Sequence, residues 1–133
     1  MLQTAVGCIA VASVMSGCNR DVRQNRELFR ATAPRDPVDI VVTEVPTDAT
    51  VSRTFEIFIV PRGERVTGTA LVFRSDKSPP PQVQWAASAT AVIKCNDARV
   101  WHFQNFSSIR LGSNRWVTTA IALECGQAGY VVR

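Results

Sequence analysis

Residues Gln82 to Cys95 alternate in character from end to end, and this sustained period of two constrains the fold more than any other feature of the chain. Val83, Trp85, Ala87, Ala89, Ala91, Ile93 and Cys95 fall on one face, and Gln82, Gln84, Ser88, Thr90 and Lys94 on the other. Ala86 and Val92 are the exceptions. Successive side chains of a strand point to opposite faces, whereas a helix would scatter these residues around its axis. The pattern predicts one long strand, with its alanines packed beneath a close or bulky opposing layer. Asn96-Asp97 then predicts a tight turn, and Arg99 to Phe103 the returning strand.

The same signal recurs along the chain. Val38 to Val45 is rich in β-branched residues and stops at Pro46-Thr47-Asp48. In Val51 to Val60, Phe55, Ile57 and Ile59 alternate with Thr54, Glu56 and Phe58. Pro61 to Arg65 predicts a hairpin loop, with Gly63 free to take positive φ. Val66 to Arg74 returns, and Ser78-Pro79-Pro80-Pro81 forces an extended crossing. Phe106 to Leu111, a turn at Gly112-Ser113-Asn114, and Trp116 to Glu124 predict a further hairpin. Val117, Thr119, Ile121, Leu123 and Cys125 share one face of its second strand. A short last strand, Tyr130 to Val132, follows Gly126 and Gly129. The expected fold is all-β: a small antiparallel β-sandwich of immunoglobulin-like architecture, or a flattened barrel, of about seven to eight strands.

Asn19 to Pro37 differs in composition. Asn19 to Glu27 is polar and mixed in charge, and Ala33-Pro34-Arg35-Asp36-Pro37 closes the stretch with two prolines. It reads as a flexible tether. Leu28-Phe29-Arg30 interrupts it, either as a docking segment for a partner or because Phe29 tucks against the domain. The net charge is +4, and thirteen of the fifteen cations are Arg. Their scatter along the chain argues against nucleic acid and suits an anionic surface or plain solubility.

The N-terminus resembles a bacterial lipoprotein signal. Ala5 to Met15 is apolar or small and too short to remain as a spanning helix. It leads into Val14-Met15-Ser16-Gly17-Cys18, which is similar to the lipobox, where small residues precede a cysteine that is lipidated and becomes the mature N-terminus. Met15 stands where the motif usually has Leu, and Met1 to Thr4 lacks the usual opening positive charge. The resemblance implies a signal peptide at 1–17 and lipid on Cys18; composition then gives a lipid-anchored tether at 18–37, and the strand pattern a β-sandwich domain at 38–133. It places the protein in the bacterial cell envelope, with the membrane as one partner and other envelope proteins as the rest. Asn19 after the cysteine, rather than Asp, favours the outer membrane.

Of the four cysteines, Cys8 would leave with the signal and Cys18 would carry lipid. Cys95 and Cys125 remain, and an even pair in an exported domain predicts one disulfide. Two reduced, buried thiols in a cytosolic chain are the other reading. With no CxxC and His102 as the only histidine, no metal site is expected.

The sequence offers no GxSxG, HExxH or Gly-rich phosphate loop. Asp76, Asp97 and Glu124 are separated by turns. No catalytic residues, cofactor or small-molecule substrate are expected. Two binding functions stand: a structural or interaction subunit of an envelope assembly (secretion, conjugation or pilus type), or a free-standing surface or periplasmic binder such as an adhesin or hydrolase inhibitor. The candidate contact residues are Leu28, Phe29, Arg99, Trp101, His102, Phe103, Phe106 and Arg110, because aromatics and Arg dominate interface hot spots. For at least half of the aromatics, a place in the core is the favoured reading.

Overall fold

Val38–Glu44 and Thr54–Pro61 are buried at almost every position because both of their faces are covered. A computed structural model describes residues 21–87 and 89–126. It contains nine strands: β1 (Arg26–Thr32), β2 (Val38–Glu44), β3 (Thr54–Pro61), β4 (Leu71–Asp76), β5 (Gln82–Ala87), β6 (Thr90–Cys95), β7 (Arg99–Phe103), β8 (Phe106–Leu111) and β9 (Arg115–Cys125). They form a five-stranded sheet of order β1-β2-β3-β4-β7 and a four-stranded sheet of order β5-β6-β9-β8. The two sheets pack as a sandwich and do not close into a barrel.

The interlayer core is built from alternate residues of facing strands. Ile40 and Val42 of β2, Ile57 and Ile59 of β3, Phe73 and Val100 meet Ala91, Ile93, Val117 and Ile121 of the other sheet. Ala91 is small and fully covered, as the alanine run predicts for a close-packed layer. The outer face of the five-stranded sheet carries a second cluster, Val41, Phe58, Val60 and Val66. The loop after β3 and a short 3-10 turn at Val22–Gln24 supply its cover through Ala70, Leu71 and Val22. Gly63, at φ +75°, lets that loop reverse.

Three expectations are corrected. The stretch from Gln82 to Cys95 is a hairpin of two strands, not one long strand. Opposed residues of a pair share a face, and here they share parity: Val83 faces Ile93 and Trp85 faces Ala91. The two arms therefore keep one phase in the sequence, although the ladder itself slips at Ala86 so that Ala87 faces Thr90, and no Gly, Pro or Asn marks the turn. The described residues form nine strands where about seven or eight were expected, and within the otherwise antiparallel sandwich β6 and β9 run parallel. Parallel pairing follows from the route. At Asp97, whose φ is +51°, the chain leaves β6 for the other sheet instead of returning beside it, and β9 enters from the same end as β6.

The tether expected at 18–37 is also interrupted, because residues 26–32 form edge strand β1 against β2. Its charges are paired rather than merely solvated. Arg30 donates to Asp39 at 2.8 Å, and Arg26 to Glu44 at 2.6 Å. Cys18, the signal segment and the expected strand at Tyr130 to Val132 lie outside the described residues.

Cys95 and Cys125 are bonded, with their Cα atoms 4.4 Å apart. They stand directly opposite each other at the end of the parallel pair. The closed loop of about 30 residues is worth roughly 3–4 kcal/mol on the chain-entropy argument. Replacing both by Ala is expected to cost about 2–4 kcal/mol and to lower the melting temperature by roughly 10 °C or more, with the far-ultraviolet β spectrum retained. Thermal denaturation followed by circular dichroism checks this.

Candidate functional site

The eight contact residues expected from sequence do not form one surface; the two sheets divide them into three places. Leu28 and Phe103 are half-buried and pack against the interlayer core, so they are structural. Leu28 sits at a bulge, where the register of β1 skips one residue.

Phe29 is 51% exposed. It faces Val42 across β1 and β2 and lines an open groove of about 670 Å³ with Arg53, Pro79, Pro81 and Val83. On this side the sheets are joined where the Trp85 indole donates to the Ala31 carbonyl at 3.0 Å. Glu44 stands between two cations at the same end of β2. It accepts from Arg53 at 2.7 and 3.0 Å and from Arg26 at 2.6 Å. These charge-assisted bonds, Arg53's first, hold its carboxyl at about 2, well below an ordinary 4.5.

The second place is β7. Arg99 donates to both oxygens of Asp76, at 2.8 and 2.5 Å, and lies over the Trp101 ring, 4.2 Å from its centroid. The guanidinium, outweighing the effect of burial, holds the Asp76 carboxyl below the usual range. Trp101 is the bulged residue of β7, skipped where Arg74 faces His102 and Ser75 faces Val100. A single cation stacked on one ring and bonded to one carboxylate is self-contained. His102 is half-buried beside this pair, and its Nε2 is buried without a partner among the described residues.

The third place is the outer face of the four-stranded sheet. Ile109 and Leu111 of β8 point into the core, which turns Phe106, Ser108 and Arg110 outward. Opposite them on β9 stand Ala120, Thr118 and Trp116. Phe106 is 59% exposed and Trp116 65%. Trp116 was missed as a contact residue, although its signal was present: it lies out of phase with Val117, Thr119, Ile121, Leu123 and Cys125, and so on the face away from the core. The Ser108 and Thr118 hydroxyls are hydrogen-bonded at 2.9 Å, and the Arg110 guanidinium donates to the Ser113 carbonyl across the turn. Gly112 takes φ +65° in that turn. The face therefore presents two large rings and a cation on a shelf of small, uncharged residues. That chemistry suits protein contact by stacking and apolar burial.

Among the described residues, no three or more of His, Cys, Asp and Glu converge as a metal site. Comparison of the chain with protein families, curated proteins and solved structures gives no match.

The Glu44 shift sets a pH dependence. A carboxyl depressed by folding contributes stability in full above its unfolded value, near 4.5, and loses it as pH falls toward about 2. Glu44→Gln is therefore expected to lower stability at neutral pH and to flatten its dependence on pH between 4.5 and 2. Urea denaturation of both proteins across that range reads the difference.

Proposed function

We propose that this chain is a membrane-anchored bacterial lipoprotein that serves as a structural or interaction subunit of an envelope assembly. The observation that carries the interaction role is the outer face of β8 and β9. Phe106 and Trp116 stand more than half exposed there, on a sheet whose opposite face already fills the core. Aromatic side chains are the commonest anchors of protein contacts, which makes this face the candidate for cover by a partner.

Two further features support the compartment and the mode of action. A disulfide between Cys95 and Cys125 suits an oxidising environment, where structural disulfides form and persist. The lipobox-like Val14 to Cys18 precedes β1 by only a few residues, so an anchor there would hold the sandwich close to the membrane surface.

Two measurements test the proposal. Cys18→Ser is expected to move the protein from the membrane fraction to the soluble fraction, because no helix among the described residues is long and apolar enough to span a bilayer. A Ser variant that stays in the membrane with unchanged processing overturns the anchor. Crosslinking in intact cells followed by purification is expected to recover a reproducible set of envelope proteins in fixed ratio. Trp116→Ala and Phe106→Ala are expected to reduce that recovery about tenfold or more, as for buried aromatic anchors. Recovery that both variants leave unchanged rejects this face as the contact.

A further inference from the structure

A strand at the edge of a sheet exposes a row of unpaired amides and carbonyls, and folded chains blunt such edges to avoid unwanted pairing. Among the described residues, four strands stand at edges: β1 and β7 in one sheet, β5 and β8 in the other. Three carry a bulge on the edge strand itself. The register skips Leu28 in β1, Ala86 in β5 and Trp101 in β7. A bulge interrupts the ladder and twists the strand away from a would-be partner. Strand β5 is further guarded by Pro79 to Pro81 immediately before it.

Among the described residues, strand β8 has neither bulge nor proline, and the loop residues Glu64 to Ala70 stand off from its Ser107 to Arg110 across an open groove of about 300 Å³. Phe106 to Leu111 pairs with β9 residue for residue, without a register shift. It contains no Pro or Gly, and Arg110 is its single charge. Its free groups can be assigned. The Asn105 carbonyl accepts from the Ile121 amide at 2.8 Å. In an antiparallel ladder, bonded and non-bonded positions alternate. Phe106, Ser108 and Arg110 therefore aim their amides and carbonyls away from β9, toward the open edge.

We propose that β8 pairs with β8 of a second copy of this chain, antiparallel, with Ser108 opposite Ser108 of that copy. The strand is complementary to itself in this register. Every free amide and carbonyl of Phe106, Ser108 and Arg110 meets one on the second copy, whereas a shift of two residues in either direction strands some of them. Positions brought together share a face, so Ile109 stays inward and Phe106 outward in both copies. Each Phe106 stands opposite an Arg110, an aromatic–cation pair formed twice about the two-fold axis, and no like charges are opposed. The two four-stranded sheets become one continuous sheet, and the exposed rings of both copies lie along its outer face.

The proposal rests on the reading of this chain as an interaction subunit but is independent of its anchor and of its envelope partners. The Cys18→Ser fractionation reports on the anchor alone, so the two can fail separately. The test uses the full chain in detergent. Light scattering, corrected for bound detergent, is expected to give twice the chain mass for the unchanged protein. The same is expected for Ser108→Ala, which loses only the hydroxyl bond to Thr118. Ser108→Pro removes the outward amide without costing a bond to β9 and is expected to halve the mass. Ser108→Cys is expected to form an oxidised dimer, since directly opposed residues of such a pair lie about 5.5 Å apart, within disulfide reach. Thr118→Cys, one strand further in on the same face, is expected not to, and this comparison stands even if the Pro variant fails to fold. A monomeric unchanged protein, equal crosslinking at 108 and 118, or a Ser108→Cys product joined only to a different protein overturns the pairing of two copies.

Discussion

The disulfide-clamped parallel pair of β6 and β9 is the constraint on which the rest of the sandwich depends. Parallel neighbours cannot be joined by a tight turn, so the chain between them must make an excursion. Here that excursion runs out to β7 at the edge of the facing sheet and back through β8. Strand β9 then takes the central place between β6 and β8 and fixes the order of its sheet. The Cys95–Cys125 bond closes the excursion covalently at the strand ends, where the Gly126 amide also donates to the Cys95 carbonyl at 2.7 Å. Because the closed loop contains one strand of the other sheet, a single bond restrains both layers. In the unfolded chain it removes the entropy of exactly the non-local closure that a parallel pair makes costly.

The five-stranded sheet is held by a different device, buried carboxylates on its outer face. Asp39 has 1% of its surface exposed and accepts from Arg30 and Thr32 of β1 and from the Gly63 amide of the hairpin loop. Burial alone would push its carboxyl up, but these bonds outweigh burial and leave it below the ordinary range. Glu56, fully buried, accepts from Asn25 at 2.7 Å and from Arg74 at 2.9 Å. Each carboxylate thus ties an element that comes before or after it to the centre of the sheet. An ion pair so placed adds little net stability over an apolar contact, yet removing one partner strands a buried charge. Its use is specification: it seats β1 and the loop over the apolar cluster around Phe58 in one arrangement.

This arrangement explains what could be read from the residues. The β class, the cysteine pair, the hairpin loop at Gly63 and the turn at Gly112 rest on local signals: two-residue periodicity, the count of thiols and the freedom of glycine. The split of 82–95 was hidden because a hairpin of matched parity keeps its alternation. Strand β1 was hidden because its stabilising partners, Asp39 and Glu44, lie in the next strand. Arg26, Glu27 and Arg30 look like a solvated tether when only neighbours in sequence are considered. The contact residues mix both cases. Phe103 and Leu28 are aromatic or apolar for the core, whereas Phe106 is exposed by the phase of β8. Phase also exposes Trp116, which composition alone did not single out. Trp101 and Phe106 lie close in sequence but belong to different sheets, because the chain changes layer at Gln104-Asn105.

The layer change has a last consequence for the surface. Gln104 still donates to Val72 of the five-stranded sheet, and Asn105 already accepts from Ile121 of the other. The crossing is thus fixed by one hydrogen bond to each layer, and the phase of β8 is set from its first residue. With Ile109 and Leu111 committed to the core, Phe106 and Arg110 have no other direction to take. Their exposure is therefore a product of register, and a slip of one residue would bury Arg110 and expose Ile109. The core thus enforces the same alternation that presents the rings outward. Apolar rings held outward by the packing beneath them are a stable feature of this fold, and the straight, unbulged edge beside them keeps their spacing regular along the strand.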